Sequence, residues 1–258
     1  MGPVMKISID TDARTLKIDE GEEQRSFDLF SREAAERLAR LWVKVGWVRK
    51  VSYGYSWLGR PIIQIPDDMV RIQEAIIQLR PDVIVETGIA HGGSLVYYAS
   101  LLQLLGKGRV IGIDIEIRPH NRAAIQAHSL FERITMIEGS SVDSDVVARV
   151  GSLIEPGEKV MLILDSNHSR DHVLAELEAY CGLVSPGSYI LSQDGVMEEV
   201  AGLPRAGPDW DWNNPAAANR AFLDRHPEFE LAPPPRPFDE TLEAPDLTHH
   251  KAGWLRRR

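Results

Sequence analysis

Residues Val83–Ser94 read VIVETGIAHGGS, and this stretch decides the fold class. A short apolar run ends at Glu86, a glycine-rich turn follows, and helical periodicity begins at Ser94. Glycines between a strand and a helix let the backbone approach a ligand closely, and the helix N-terminus presents free N–H groups. A dinucleotide fingerprint reads G-x-G-x-x-G, whereas this stretch reads E-T-G-x-x-H-G-G-S. Because a carboxylate repels phosphate, Glu86 favours a cationic ligand over a pyrophosphate.

Similar apolar runs recur along the chain, with helical periodicity between them. Strands that are apolar along their whole length and alternate with helices indicate a parallel sheet covered on both faces. Crossovers of this length form right-handed βαβ units. The sequence therefore predicts an α/β, Rossmann-like fold with a mostly parallel central sheet. After VIVE, its strands are expected in the runs Arg109–Asp114, Arg133–Glu138, Val160–Asp165 and Ser188–Asp194.

The segments on either side of this alternation have other patterns. Residues 6–10 and 15–19 alternate apolar and polar side chains around a turn, which predicts an N-terminal hairpin. Residues 196–215 are rich in Gly, Pro and Trp and favour a long loop that acts as a lid. We expect an N-terminal extension, residues 1–66, and a main domain, residues 67–258. Two edge strands are expected near its end, in PEFELAPPP and KAGWLRRR.

Composition restricts the class of protein. The 258-residue chain carries a formal net charge of −9, and its dense basic run is Arg256–Arg258. Without a broad basic face, general binding to nucleic acid or to an anionic membrane is not expected. The single cysteine, Cys181, excludes an intrachain disulfide and fits a reducing compartment. We find no signal-peptide pattern and no apolar run near the roughly 20 residues of a membrane span, so we expect a cytoplasmic protein.

Acidic and polar residues stand at the ends of three successive predicted strands. Glu86 ends the first, and Asp114 ends the second, where an acid is placed to accept hydrogen bonds from ribose hydroxyls. Ser141 and Asp143 follow the third and offer polar groups for an adenine edge. Each acid could instead cap a helix or lie on the surface. Three strand ends in order favour a binding site.

Four motifs resemble those of the cephalosporin hydroxylase/rhamnosyl O-methyltransferase family: ETGIAHGGS, the GID ending at Asp114, LDSNHSRDHV (Leu164–Val173) and YSWLGRPI (Tyr55–Ile62). The resemblance covers roughly Trp47–Asp194. It implies the class I S-adenosylmethionine-dependent methyltransferase fold and methyl transfer to hydroxyls of sugars or other natural products. The residues expected to bind S-adenosyl-L-methionine are Glu86, Gly88, His91, Gly92, Gly93, Ser94, Asp114, Ser141 and Asp143.

The resemblance also implies a divalent metal site, typically for Mg²⁺, at the ends of the fourth and fifth strands. Asp165 and Asp194 hold those positions. The family often has two adjacent acids at the fifth strand, whereas this chain has Gln193 before Asp194; its carbonyl oxygen is the third expected ligand. His168 is the expected general base for an acceptor hydroxyl, with Asp165 beside it. The alternative for His168 is a hydrogen-bonded turn histidine.

Aromatic residues upstream of the sheet and in the predicted lid are candidates for an acceptor pocket, or else for the core or a subunit interface. The acceptor residues expected are Tyr55, Trp57, Arg60 and Trp210. The predicted function is S-adenosylmethionine-dependent O-methylation of a glycoside, polyol or other polyoxygenated small metabolite by a homo-oligomer. The alternatives are a non-catalytic cofactor-binding partner of another enzyme and, less favoured, a nicotinamide-dependent oxidoreductase.

Overall fold

The computed structural model describes residues 5–20, 23–238, 240 and 246–258. It distinguishes two units: one runs to Gly46 and includes the described part of residues 238–247, and the other comprises residues 47–237 and 248–258. The predicted division at residue 66 does not coincide with this grouping, and a separate role for residues 1–66 stays a prediction.

The described residues form twelve strands and eight α-helices. The strands are β1 (Met5–Asp10), β2 (Thr15–Glu20), β3 (Glu23–Asp28), β4 (Tyr55–Trp57), β5 (Arg60–Ile62), β6 (Val83–Thr87), β7 (Arg109–Asp114), β8 (Ile134–Glu138), β9 (Val160–Leu164), β10 (Tyr189–Ser192), β11 (Phe229–Leu231) and β12 (Trp254–Arg257). The helices are α1 (Arg32–Arg49), α2 (Pro66–Leu79), α3 (Gly93–Leu104), α4 (Pro119–Gln126), α5 (Ser144–Ser152), α6 (Arg170–Tyr180), α7 (Met197–Val200) and α8 (Pro215–Leu223).

The first unit contains the predicted hairpin and one further strand. Strands β1, β2 and β3 form an antiparallel sheet in that order. Leu16 and Ile18 of β2 are buried against Ala34 of α1 in a small core of their own. Strand β3 was not predicted because Phe27 alone among its residues is even partly buried, so the strand has no apolar alternation to signal it.

A seven-stranded sheet, in the order β11-β12-β10-β9-β6-β7-β8, forms the second unit. Strands β8, β7, β6, β9 and β10 are parallel, and buried clusters of apolar residues cover both faces. The predicted parallel sheet is therefore confirmed. Because β6 pairs with both β7 and β9, the strand order reverses there, and ligands in such sheets bind beyond the carboxyl ends of the strands at this reversal.

The last part of the sheet differs from the prediction of two edge strands. Strand β11 is an edge, but β12 is antiparallel and lies between β10 and β11. Trp254 and Leu255 of β12 are buried, as an internal strand requires. The predicted loop over residues 196–215 contains the short helix α7 before α8 begins at Pro215. A lid role for this segment stays a prediction.

Candidate active site

The glycine turn between β6 and α3 packs against two other segments. Gly88 has a φ of +93°, which favours glycine, and a Cβ on it would lie 2.0 Å from the carbonyl oxygen of Asp165. A Cβ on Gly93 would lie 2.1 Å from the carbonyl oxygen of Pro61. A side chain at either position would therefore clash with the backbone of a neighbouring segment. The sequence had instead suggested that these glycines make room for a ligand. Gly88 brings the turn against the end of β9.

Asp114, the last residue of β7, fixes this turn. Its Oδ2 accepts hydrogen bonds from the backbone N–H groups of Ile89 and Ala90, at 2.8 and 3.1 Å, and its Oδ1 accepts one from Glu116 at 3.2 Å. Three of the roughly four acceptor positions of a carboxylate are therefore occupied within the protein. The structure places Asp114 at the expected strand end, and its contact with a ribose stays a prediction.

Glu86 is fully buried, and one of its oxygens has no partner. Ser94 donates from Oγ to Glu86 Oε2 at 2.7 Å, whereas Oε1 accepts nothing from the described residues. Burial raises the pKa of Glu86 to about 8; the hydrogen bond from Ser94 opposes the shift, and the charge of Asp114 adds to it. A cation at Oε1 would satisfy the free oxygen and stabilise the ionised form. This environment fits a positively charged ligand group.

Arg60 is bonded to the glycine turn. Its guanidinium donates from Nε to the carbonyl oxygen of His91 at 3.0 Å and from Nη2 to the same oxygen and to Asn121 Oδ1, the latter at 3.1 Å. Asn121 Nδ2 in turn donates to the carbonyl oxygen of Ala90 at 2.9 Å. These bonds give Arg60 a role in shaping the turn that its sequence context did not reveal.

The other aromatic candidates of the YSWLGRPI segment contact the protein core. Trp57 Nε1 donates to Ser100 Oγ at 3.0 Å, and the Trp57 ring meets Tyr97 edge-on at 5.0 Å between ring centroids. Tyr55 is partly buried against the same apolar cluster. The core alternative thus accounts for the positions of both rings, and their contact with an acceptor stays a prediction.

A pocket of about 340 Å³, counted with the space open to solvent, lies between residues 61–64 and the glycine turn, and Asp165 also lines it. Gln64, in this lining, is almost fully buried and donates from Nε2 to Gln193 Oε1 at 3.2 Å and to the Tyr98 hydroxyl at 3.5 Å. Gln193 is itself only 2% exposed. The amide oxygen of Gln193, the third expected metal ligand, therefore already accepts a hydrogen bond from Gln64.

Asp165, His168 and Asp194 form a group that we call the carboxylate cluster. One ligand atom from each lies within 4.8 Å of the others. His168 Nε2 is 3.4 Å from Asp194 Oδ2 and 3.9 Å from Asp165 Oδ1. Burial, together with repulsion from Asp194, Glu86 and Glu176, raises the pKa of Asp165 well above its usual range. Two carboxylates this close together offer oxygen ligands of the kind that a divalent cation takes.

The strand-end residues after β8 have partners of their own. Asp143 caps α5, since its side chain accepts from Asp145 N at 2.9 Å, which is the alternative that the sequence left open. Ser141 Oγ lies 3.3 Å from Nε2 of His172. A hydrogen bond with Glu176 raises the pKa of His172, which fits a structural role for this residue of α6. Adenine contacts by Ser141 and Asp143 stay predictions.

A buried histidine that was not predicted from the sequence, His249, lies near the turn that follows β10. His249 is 5% exposed, and its ring meets the Trp47 ring edge-on, with the ring centroids 5.6 Å apart. The Trp210 ring also meets the Trp47 ring edge-on, at 5.6 Å between centroids. Burial lowers the pKa of His249, while the charges of Asp194 and Asp68 oppose the shift. The sequence shows only two adjacent histidines, His249 and His250, after a Pro-rich stretch. Adjacent histidines do not have the spacing of a known ligand motif, so they predicted no site.

The sheet order and the glycine turn define a class I methyltransferase fold, which solved structures share. The structure described as "CmcI-N160 apo-structure" matches with a TM-score of 0.54 and 22% identity, covering 80% of this chain and 76% of that one. The structure described as "cmcI-D160 Mg-SAM" matches with a TM-score of 0.51 and 21% identity, covering 80% and 77%. The predicted fold class is confirmed.

The chain belongs to the Rhamnosyl O-methyltransferase/CmcI family, whose model matches residues 49–258. It is 32% identical over 164 residues to the rhamnosyl O-methyltransferase of Mycobacterium bovis (strain BCG / Pasteur 1173P2), covering 62% of each protein. The Mycobacterium leprae (strain TN) relative is 32% identical over 155 residues, covering 59% of this chain and 65% of the relative. The match thus spans less than two thirds of these relatives' length. Among the described helices, none combines the length and apolar character needed to cross a membrane.

Proposed function

We propose that this chain is an S-adenosylmethionine-dependent O-methyltransferase, assisted by Mg²⁺, that acts on a hydroxyl of a sugar-bearing or polyoxygenated small molecule. The observation that carries the proposal is the presence of two different acidic sites at one sheet edge: Glu86 with a free buried oxygen, and the carboxylate cluster. The first fits a cationic methyl donor, and the second fits a divalent cation. Membership of a methyltransferase family supports the same function.

The cofactor would lie along the ends of β6, β7 and β8. S-adenosylmethionine supplies an activated methyl group on a sulfonium, so the protein's contribution is to hold and align it. Glu86 would pair with the ammonium group of the methionine end, while Asp114 keeps the turn in place and offers its remaining acceptor position to the ribose. The proposed contacts are Glu86, Gly88, His91, Gly92, Gly93, Ser94, Asp114, Ser141 and Asp143.

Asp165 and Asp194 are the residues that would hold Mg²⁺. A bound divalent cation lowers the pKa of a hydroxyl that it contacts. The CmcI structure described with Mg and SAM supports a metal in a protein of this fold. Gln193 is the third proposed ligand; its amide oxygen accepts one hydrogen bond from Gln64 and keeps a second acceptor position that a cation could take. Two carboxylates therefore carry the negative charge of the site.

His168 is the proposed general base. Its Nε2 lies at the carboxylate cluster, 3.4 Å from Asp194, and its side chain is 29% exposed. His168 would accept the hydroxyl proton as the acceptor oxygen takes the methyl group from the sulfonium, which would leave as a neutral thioether. The charge of Asp194 stabilises the imidazolium that results.

The proposed acceptor is a glycoside or polyol. Relatives named rhamnosyl O-methyltransferase support a sugar hydroxyl as the nucleophile. Tyr55, Trp57, Arg60 and Trp210 are the proposed acceptor residues; of these, Trp210 belongs to the aromatic group with Trp47 and His249. We also propose a homo-oligomer, which light scattering on the purified protein tests directly.

Calorimetric titration with S-adenosylmethionine tests the donor site. The wild type is expected to bind it in the micromolar class, and Glu86→Gln is expected to bind at least about tenfold more weakly because the counter-charge is lost. The matched control is Glu178→Gln, since Glu178 is a partly exposed acid of α6 paired with Arg225. If the wild type binds no S-adenosylmethionine with or without Mg²⁺, the proposal is wrong.

Turnover with methyl rhamnosides and related polyols, with Mg²⁺ or EDTA, tests the reaction. Methyl transfer that requires Mg²⁺ and Asp165 supports the proposal. A protein that binds S-adenosylmethionine, transfers no methyl group to any acceptor and tolerates loss of both Asp165 and His168 would instead be the non-catalytic partner. Quenching of nicotinamide fluorescence would support the oxidoreductase.

A further inference from the structure

A second set of buried polar groups lies outside the proposed machinery. Asp68, in the first turn of α2, has a side chain only 3% exposed. It accepts from the Thr248 hydroxyl at 2.5 Å and from the backbone N–H of His249 at 2.8 Å. The Thr248 oxygen also accepts from the N–H of His250 at 2.8 Å. We call residues 248–253 the C-terminal strap, and Asp68 anchors its first half.

The strap brackets the residues around Asp194. The carbonyl oxygen of His249 accepts from the N–H of Val196 at 3.0 Å, and the carbonyl oxygen of Gly253 accepts from the N–H of Ser192 at 2.8 Å. Between these bonds, a Cβ on Gly195 would lie 1.9 Å from the carbonyl oxygen of Lys251. The strap backbone therefore contacts the turn both before and after Asp194.

Asp194 has a backbone conformation that needs such support. Its φ is +56°, in the left-handed region that a residue with a side chain rarely adopts. Conformations of this kind persist when the surrounding structure fixes them, and they concentrate at functional sites. The bond from Met197 N to the Asp194 carbonyl, 3.0 Å, belongs to the same turn. In this conformation the Asp194 carboxylate lies within 3.4 Å of His168.

We infer that Asp68 is a positioning residue for the metal site: its buried carboxylate fixes the C-terminal strap, and the strap holds Asp194 in the conformation that places it in the carboxylate cluster. The metal part of this inference rests on the proposed function. Asp68 lies on α2, and its described hydrogen bonds go to the strap and not to the carboxylate cluster, so it acts through the strap backbone.

Hydrogen exchange of the protein without metal tests the positioning itself. In Asp68→Asn one of the two acceptor oxygens becomes an N–H₂ group, so the side chain can no longer accept from both the Thr248 hydroxyl and the N–H of His249, and the strap loosens. The Val196 and Met197 amides are expected to exchange about tenfold faster or more, along with those of His249 and His250. Thr248→Val removes the hydroxyl alone and is expected to give a smaller change of the same pattern, which covers the case that Asp68→Asn does not fold. If strap amides exchange faster while those of Val196 and Met197 stay unchanged, the inference is overturned.

Binding of Mn²⁺, followed by its electron paramagnetic resonance, tests the consequence for the cluster. Asp68→Asn is expected to weaken Mn²⁺ about tenfold, with S-adenosylmethionine affinity within about twofold of the wild type because the glycine turn is untouched. Asp82→Asn is the control: Asp82 also accepts a backbone N–H and a side-chain donor, from Lys159 and Lys107, but at the opposite end of the sheet.

Equal losses of Mn²⁺ binding in Asp68→Asn and Asp82→Asn would mean a general loss of stability and would overturn the inference. Unchanged Mn²⁺ affinity in Asp68→Asn, with faster exchange at Val196, would also overturn it. If the wild type itself binds no Mn²⁺, the metal part of the proposed function fails, and the exchange experiment still decides whether the strap holds Asp194.

Discussion

At the ends of β6 and β7 the acidic residues are bonded to the protein, whereas at the ends of β9 and β10 they lie against one another. Asp114 accepts three backbone N–H groups, and Ser94 holds one oxygen of Glu86, which leaves a single free oxygen. Among the described residues, His168 lies near both Asp165 and Asp194. Hydrogen bonds within the protein already fix the side chains of the first region, whereas in the second region two carboxylates lie close together without such bonds from other described residues, an arrangement that a bound cation would stabilise. Substitutions in the two regions should therefore have different consequences.

The largest effect is expected in the carboxylate cluster. Asp165→Asn should lower turnover about 10²–10⁴-fold, because one cation ligand and the charge beside His168 are lost. The melting temperature of the metal-free protein should not fall, because burial and repulsion from Asp194, which together disfavour the ionised form of Asp165 and raise its pKa, no longer act on a neutral amide. Steady-state kinetics and calorimetry measure both. Asp171→Asn, at a side chain 89% exposed on α6, is the control, and equal losses of turnover would contradict the assignment.

The glycine turn should show the reverse, a loss of stability. Gly88→Ala is expected to lower the free energy of unfolding by about 3 kcal/mol or more. The added Cβ would clash with the Asp165 carbonyl oxygen, and the positive φ of this position is itself unfavourable for alanine. Gly157→Ala has a similar φ of +88° with nothing within 4 Å of its Cβ, so about 1 kcal/mol is expected there. Urea denaturation measures both, and equal costs would show that the contact with Asp165 contributes nothing.

Glu86 links the first region to pH. In the protein without cofactor the pKa of Glu86 is about 8, against 4.5 for an ordinary glutamate, so between these values the folded state binds one proton more than the unfolded state. Stability of the cofactor-free protein should therefore fall as pH rises through this window. Affinity for a cationic cofactor should rise about tenfold per pH unit from pH 6 to near 8 and then level off. Calorimetry in buffers of different ionisation enthalpy should show proton release, which Glu86→Gln abolishes; a flat profile in the wild type would count against pairing at Glu86.

The smallest effect is expected at Asp114. Asp114→Asn keeps one acceptor oxygen, but its N–H₂ group faces backbone N–H groups to which it cannot bond. The glycine turn is then held less firmly, so S-adenosylmethionine should bind about tenfold more weakly. Asp143→Asn keeps a good N-cap on α5, so any loss of affinity there measures the proposed adenine contact alone. Titration of the two variants side by side separates support of the turn from contact with the cofactor. Unchanged affinity in Asp114→Asn would show that the turn holds without it.

The sequence was sufficient for the parts of the site that lie on the parallel strands. Continuous apolar runs predicted the five parallel strands, and residues directly after a strand must lie at the same sheet edge. That geometry alone brings Asp165 and Asp194 together. Hydrogen bonds between distant segments could not be predicted from the sequence. Gln64 and Gln193 are 129 positions apart, and Asp68 and Thr248 are 180 apart. No periodicity connects such pairs, so the partner of Gln193 and the anchor of the C-terminal strap appear only in the folded protein.

The position of β12 has a consequence for how the protein is made. During synthesis β11 emerges before β12, yet β11 joins the sheet only through β12, and the edge of β10 stays open until residues 254–257 leave the ribosome. The strap precedes β12 in the chain, so Asp194 gains its support at that same late stage. A nascent chain that has completed β10 but has not reached residue 254 would therefore lack both the antiparallel neighbour of β10 and the backbone bonds that join residues 249 and 253 to the turn around Asp194.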